Sequence, residues 1–248
     1  MKRIVIMGAT SGIGRATAER CIAAGWQVGA AGRRTEALEQ LRQLAPERVS
    51  TETIDITASE APAALERLIA KLGGMDVYLH VSGVGSQNPQ LDPTVEFDTI
   101  RTNAEGFTRM ATAAYSYFAA KGGGHIAVVS SIAGTKGLGV AASYSATKRY
   151  QNIYIDALDQ LAHMNAQKIR FTDIRPGFVA TPLLHDGRRY PMLLTPEYVA
   201  ARIVRALERG KRRVTIDRRY AVLVFLWRLI PAALWARLPI RNRPARER

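Results

Sequence analysis

Apolar residues in this chain gather in short runs. Residues 2–7, 27–31, 76–81, 125–130 and 169–174 form such runs, each bounded by Gly, Pro or charge. Runs of this length read as strands buried on both faces. The stretches between them suit helices, the first at residues 15–24. Alternation up to about residue 175 predicts an α/β fold: a Rossmann-like, doubly wound parallel sheet in a three-layer α/β/α sandwich. The 248 residues are enough for one sizeable core, and no repeat or linker interrupts them. Residues 1–210 are read as one domain, and 211–248 as a helical extension that is not an independent domain.

That extension alternates basic and apolar blocks. Residues 220–227 are apolar, Arg228 interrupts, Pro231 breaks any helix, and residues 232–238 resume it. Two short helices meeting at Pro231 are expected. A membrane span needs about 20 largely apolar residues, and Arg228 with Pro231 argues against one. The net charge of +14 is concentrated here: residues 201–248 hold fourteen Lys/Arg and three Asp/Glu, a net +11. Arg241, Arg243, Arg246 and Arg248 close the chain. Peripheral contact with an anionic membrane and packing on protein both fit this pattern. Nucleic acid is disfavoured, because no nucleic-acid motif accompanies the charge.

The first run leads into Gly8-Ala9-Thr10-Ser11-Gly12-Ile13-Gly14 and then a helix. A strand, a glycine-rich turn and a helix N-terminus make a phosphate site, because free N–H groups and the helix dipole face the anion. The second run ends in Gly32-Arg33-Arg34, where a carboxylate would meet a free ribose 2′-hydroxyl. Two arginines there suit a 2′-phosphate and favour NADP(H) over NAD(H); alternatively they only begin the next helix.

Tyr144 and Lys148 are four residues apart, with Ser131 thirteen residues upstream of Tyr144. On a helix they share a face. A nearby cation stabilises phenolate and draws its pKa toward the working range. The trio suits moving a proton on or off a carbonyl or alcohol oxygen. No metal site is read.

Taken in order, Gly8/Gly12/Gly14, Asp55, Asn103, Ser131, Tyr144, Lys148, Pro176-Gly177 and Thr181 resemble the short-chain dehydrogenase/reductase family. The resemblance runs from Met1 to about Leu207. It implies a single dinucleotide-binding and catalytic domain with nicotinamide-dependent ketone/alcohol chemistry. Tyr144 would be the general acid or base. Lys148 would lower the phenol pKa and bind the nicotinamide ribose. Ser131 would hold the substrate carbonyl, and Asn103 would support Lys148 through a water relay. The cofactor contacts it implies are Gly8, Thr10, Ser11, Gly12, Ile13, Gly14, Arg33, Arg34, Asp55, Ile56, Ser82, Gly83, Asn103, Tyr144, Lys148, Pro176, Gly177, Val179 and Thr181. Three places depart from the family pattern: Met7 where threonine is usual, His80-Val81-Ser82-Gly83 where Asn-Asn-Ala-Gly is usual, and the late strand at residues 211–217. His80 reads as structural.

Substrate would be shaped by residues 82–88 and 133–140 and by a lid at 182–196. Leu183, Leu184, Tyr190, Met192, Leu193 and Leu194 make that lid apolar, which suits a hydrophobic carbonyl compound. Lys136, His185, Arg188 and Arg189 are placed to meet an anionic group. A homodimer or homotetramer is expected from the resemblance. Met1-Lys2-Arg3 leads directly into the first strand, so no signal peptide is read and a cytoplasmic enzyme is expected, peripheral at the inner face of a membrane if the tail docks there. Cys21 is the only cysteine, which excludes an intrachain disulfide. The rival from another class is a non-catalytic dinucleotide-binding sensor or scaffold, which would be expected to have lost the proton-transfer residues.

Overall fold

A computed structural model describes residues 2–184 and 188–240. Seven strands form one parallel sheet: β1 (Arg3–Met7), β2 (Gln27–Gly32), β3 (Val49–Thr53), β4 (Val77–His80), β5 (Gly124–Val129), β6 (Ile169–Arg175) and β7 (Arg213–Thr215). Their spatial order is β3-β2-β1-β4-β5-β6-β7. The five strands expected from the apolar runs are present with ends shifted by one or two residues. The sheet also runs past residue 210: β7 pairs with β6 although it lies in the stretch read as an extension.

The helices are α1 (Gly12–Ala23), α2 (Thr35–Arg42), α3 (Ala61–Lys71), α4 (Pro93–Ile100), α5 (Phe107–Lys121), α6 (Ala142–Met164), α7 (Pro196–Glu208), α8 (Arg218–Leu229) and α9 (Ala232–Trp235). Successive side chains of a strand point to opposite faces. Ile4 and Ile6 accordingly join one core with Cys21, Leu41, Ile203 and Tyr220. Val5 and Met7 join the other with Leu68, Phe107, Phe118 and Ile155. Met7 thus serves as core. Burial pushes the Cys21 thiol up to about 12, so it is inert packing at neutral pH.

The strand order reverses between β1 and β4. Loops leaving neighbouring strands in opposite directions open a crevice at their carboxyl ends, where ligands of such sheets bind. The loops after β1 and β4 meet closely there: a Cβ on Gly8 would lie 2.7 Å from the Ser82 backbone nitrogen.

Behind the end of β6 lies a buried ion pair. Asp173 and Arg175 lie 2.6 Å apart, with side chains 1% and 6% exposed. Asp173 also accepts from Asn152 Nδ2 and from Ser130 Oγ. Removing one partner of such a pair leaves a buried charge uncompensated, which costs about 3–5 kcal/mol. Asp173→Ala is therefore expected to lower the unfolding free energy by about 3 kcal/mol in urea titrations; a loss below about 1 kcal/mol would contradict the pairing.

Candidate active site

The glycine turn is shaped by space as much as by flexibility. Gly8 has φ +100°, open to glycine and strained for other residues. A Cβ on Gly14 would sit 2.0 Å from the Gly8 carbonyl oxygen, so the helix start presses directly on the turn. Ser11 caps α1 without a side-chain hydrogen bond, and the first turn carries no acid. The first-turn N–H groups therefore face the crevice with no carboxylate beside them. These features fit a dinucleotide pyrophosphate. Thr181 closes the far side: its Cγ2 would lie 2.9 Å from a Cβ on Gly12.

At the end of β2, Arg34 donates to Thr10 Oγ1 from Nε and Nη2, at 3.3 and 3.0 Å. Arg33 is exposed beside Asp55. Asp55 accepts from the Thr57 N–H and hydroxyl, and these bonds, with the Arg33 charge, hold its carboxyl below the usual range. A cleft of about 390 Å³ runs from Arg33 and Thr57 to Val84, Gly85 and Thr102. The side chains of Ile56 and Val179 are buried in the core, and Ile13 packs against it.

The proton-handling residues converge from three elements. Ser131 follows β5, and its Oγ accepts from the Ala133 N–H at 3.1 Å. Tyr144 on α6 is half-buried. Burial pushes its phenol up, and the Ser131 hydroxyl opposes the rise. Lys148, one turn along α6, is 5% exposed with Nζ 5.8 Å from the Tyr144 ring centre. Nζ donates to the Val129 carbonyl and to Gln151 Oε1, both at 3.1 Å. Burial lowers the Lys148 ammonium to about 8, with Asp173 opposing.

Asn103 lies in a π-helical turn, Arg101–Gly106, between α4 and α5. Such turns often mark functional positions. Its side chain does not touch Lys148. Oδ1 accepts from the Val84 N–H at 2.9 Å, and Nδ2 donates to the Val84 carbonyl at 2.7 Å. The link to Lys148 runs through Gln151, whose Nε2 donates to the Asn103 carbonyl at 2.9 Å. A glutamine side chain thus links the Asn103 carbonyl to Lys148. Gly83 lies against both, a Cβ there being 3.1 Å from Asn103 Oδ1 and 3.5 Å from Lys148 Nζ.

Three further residues shape the site without having stood out in the sequence. Gln151 is fully buried and satisfies Lys148. Gly85 packs on the face of Tyr144, where a Cβ would lie 2.4 Å from Cδ2. Tyr220, from α8, presses on Gly177: a Cβ there would come within 2.2 Å of its ring. Its hydroxyl accepts from the Phe178 N–H at 3.1 Å and donates to the Pro191 carbonyl at 2.8 Å. It fastens the loop after Pro176 to the base of the lid. Its spacing from Leu223, Val224 and Trp227 was the available signal.

The lid is tied across the cleft, Arg188 donating to Gln87 and the Tyr190 ring lying tilted against Phe178 with ring centres 4.7 Å apart. Lys136 does not face the cleft. It donates to the Ile230 carbonyl at 2.7 Å and lies over Trp235. His80 is buried beneath the site, its Nδ1 bonded to the Tyr78 hydroxyl, and burial lowers it to about 3. It is structural. His185 lies outside the described residues.

Comparison with known proteins gives a consistent match. The family model described as short chain dehydrogenase matches residues 2–190. An uncharacterized oxidoreductase of Myxococcus xanthus is 30% identical, with 93% of this chain and 93% of that protein covered. Dehydrogenase/reductase SDR family member 7B of Bos taurus is 30% identical, with 98% of this chain and 82% of that protein covered. The structure of 3-ketoacyl-(acyl-carrier-protein) reductase from Brucella melitensis complexed with NADH has a TM-score of 0.77 over 87% of this chain and 96% of that one. At 24% identity, that match is a likeness of fold.

The position of Lys148 has a thermodynamic signature. Its folded-state pKa of about 8 lies below the ordinary 10.5. The folded chain gives up that proton first while the unfolded chain retains it, so unfolding free energy rises with pH between those values. Across that window, wild type should gain up to about 3 kcal/mol relative to Lys148→Met in urea titrations. An unchanged difference would mean that Lys148 titrates normally.

Proposed function

The chain belongs to the short-chain dehydrogenase family and is an NAD(P)-dependent dehydrogenase/reductase; from that premise we propose that it interconverts a ketone and a secondary alcohol, with Tyr144 moving the proton. One observation carries the reading. The Ser131 hydroxyl acts on the Tyr144 phenol, and buried Lys148 is held beside the Tyr144 ring by two hydrogen bonds. A substrate oxygen placed between the two hydroxyls meets a donor on each side.

When bound, the reduced nicotinamide supplies the hydride. The chain does the rest. Ser131 orients the carbonyl oxygen and polarises it. Tyr144, kept protonated by its burial, gives its proton to that oxygen as the carbon becomes tetrahedral. Lys148 stabilises the phenolate left behind. Gln151 and the Val129 carbonyl hold the ammonium toward the ring. A phenol that rests protonated is ready to donate to a carbonyl oxygen. In the reverse direction the same groups take the proton from the alcohol.

NADP(H) is the preferred cofactor in this reading. The support is the pair of arginines at the end of β2, with Arg34 fixed on Thr10 and Arg33 exposed at the cleft. Pro176, Gly177 and Thr181 border the nicotinamide end. A hydrophobic carbonyl substrate is supported by the lid, where Leu183 and Leu193 are 44% and 50% exposed. Association of copies through α5 and α6 is supported by exposed Ile153 and Met164 on α6.

NADPH oxidation against a panel of ketones tests the chemistry. Tyr144→Phe is expected to lower turnover by about 10²-fold or more while NADPH affinity, read by nucleotide fluorescence, is kept. Turnover that survives the substitution removes Tyr144 from its role. Arg33→Ala should reduce the NADPH:NADH ratio of kcat/KM by about tenfold, equivalent to about 1.4 kcal/mol. An unchanged ratio would assign the preference elsewhere.

A further inference from the structure

Helix α8 is apolar on both faces. Tyr220, Leu223, Val224 and Trp227 pack against the body. On the opposite side, Val222, Phe225, Leu226 and Leu229 repeat at helical spacing and are 58%, 64%, 55% and 65% exposed. A soluble surface helix ordinarily carries charge on that side. Leu234 in α9 and Leu238 after it extend the exposed stretch, at 53% and 38%. This is a contiguous run of large apolar side chains, and such patches mark interaction sites.

The rim of the patch is basic. Arg218 lies one helical turn before Val222 on the outward face, and Arg228 and Arg237 are exposed beside it. Between residues 211 and 240 Asp217 is the single acid, and it is paired with Arg219 at 2.9 Å. The final eight residues add four arginines and one glutamate. A second copy of this chain meeting the patch face to face would set arginines against arginines, because a two-fold interface pairs identical surfaces. An anionic lipid surface complements both features: acyl chains for the apolar stripe and headgroup charge for the rim. No helix among the described residues is long and apolar enough to cross a membrane.

The patch is fastened to both walls of the substrate cleft. Trp227 Nε1 donates to Thr135 Oγ1 at 2.9 Å, and Trp235 Nε1 to the Gly137 carbonyl at 2.7 Å. Both partners lie in the segment after Ser131. Tyr220 holds the other wall at Phe178 and Pro191. We propose that the outward face of α8, with α9, docks on an anionic membrane surface and sets the active-site cleft against it, so that the enzyme takes a ketone or alcohol dissolved in the lipid. The substrate half of this statement rests on the oxidoreductase reading above; the docking half does not.

Co-sedimentation of the full chain with vesicles tests the docking. Phosphatidylcholine vesicles with about 30% phosphatidylglycerol should carry the protein down, and phosphatidylcholine alone should not. The double variant Phe225→Asp/Leu229→Asp should lose binding by about tenfold or more while keeping its turnover of a water-soluble ketone. With a long-chain ketone in the vesicles, turnover should fall with binding. Failure of wild type to sediment with anionic vesicles overturns the proposal. So does a double variant that still binds vesicles but passes from dimer to monomer on size exclusion, since the face would then join two copies. Sedimentation without turnover of any ketone would sustain the docking and sink the oxidoreductase reading.

Discussion

A charged ammonium placed out of water is the constraint that organises this site. Lys148 is desolvated enough for its pKa to fall, and the chain keeps the cation by meeting it with two oxygens, the Val129 carbonyl and Gln151 Oε1. Each brings a dependency. The Val129 carbonyl meets Lys148 at the last residue of β5, two residues before Ser131. Gln151 is held from its other end by the Asn103 carbonyl, which lies in the π-helical turn. Gly83 leaves room for all of them. Tyr144 then stands beside a fixed cation rather than a mobile side chain, as catalysis by preorganised charge demands.

Much of the fold was legible in the sequence, because strands buried on both faces are written as mostly apolar runs. The five runs lie within one or two residues of β1, β2, β4, β5 and β6. The glycine turn, the paired arginines and the Ser131, Tyr144 and Lys148 trio were legible as well, since each is a local pattern of residue types. What escaped has a common character. Gln151 looks like an ordinary polar residue on a helix until a carbonyl from another helix is found opposite it. Gly85 matters only because the ring of Tyr144, fifty-nine positions later, lies across it. The π-helical turn has no compositional mark. The β7 strand, three residues of Arg-Val-Thr, carries too little apolar character to read as sheet and is recruited by the edge of β6. Long-range contact decides each of these cases.

The C-terminal segment is integrated with the catalytic body more closely than its composition suggests. Its inner face supplies core through Tyr220 and Val224, and its two tryptophans reach the segment following Ser131 with their indole N–H groups. The chain leaves the sheet at Asp217, whose φ of +75° is unusual for a residue other than glycine. That strained backbone is met by the bonds Asp217 makes with the Arg219 N–H and guanidinium. Departure from the sheet, entry to α8 and closure over the cleft are thus set within a few residues.

One of these contacts changes how a familiar dipeptide should be read. The absence of a side chain at Gly177 looks like a provision for cofactor alone, yet the ring of Tyr220 fills the space where a Cβ would be. Positions 177 and 220 therefore form a single unit of inheritance: a larger residue at the first is admissible only in a descendant that has shrunk or lost the second. In lineages of this chain the tail cannot drift as a dispensable appendage, and the pair should appear as covarying columns when related sequences are aligned.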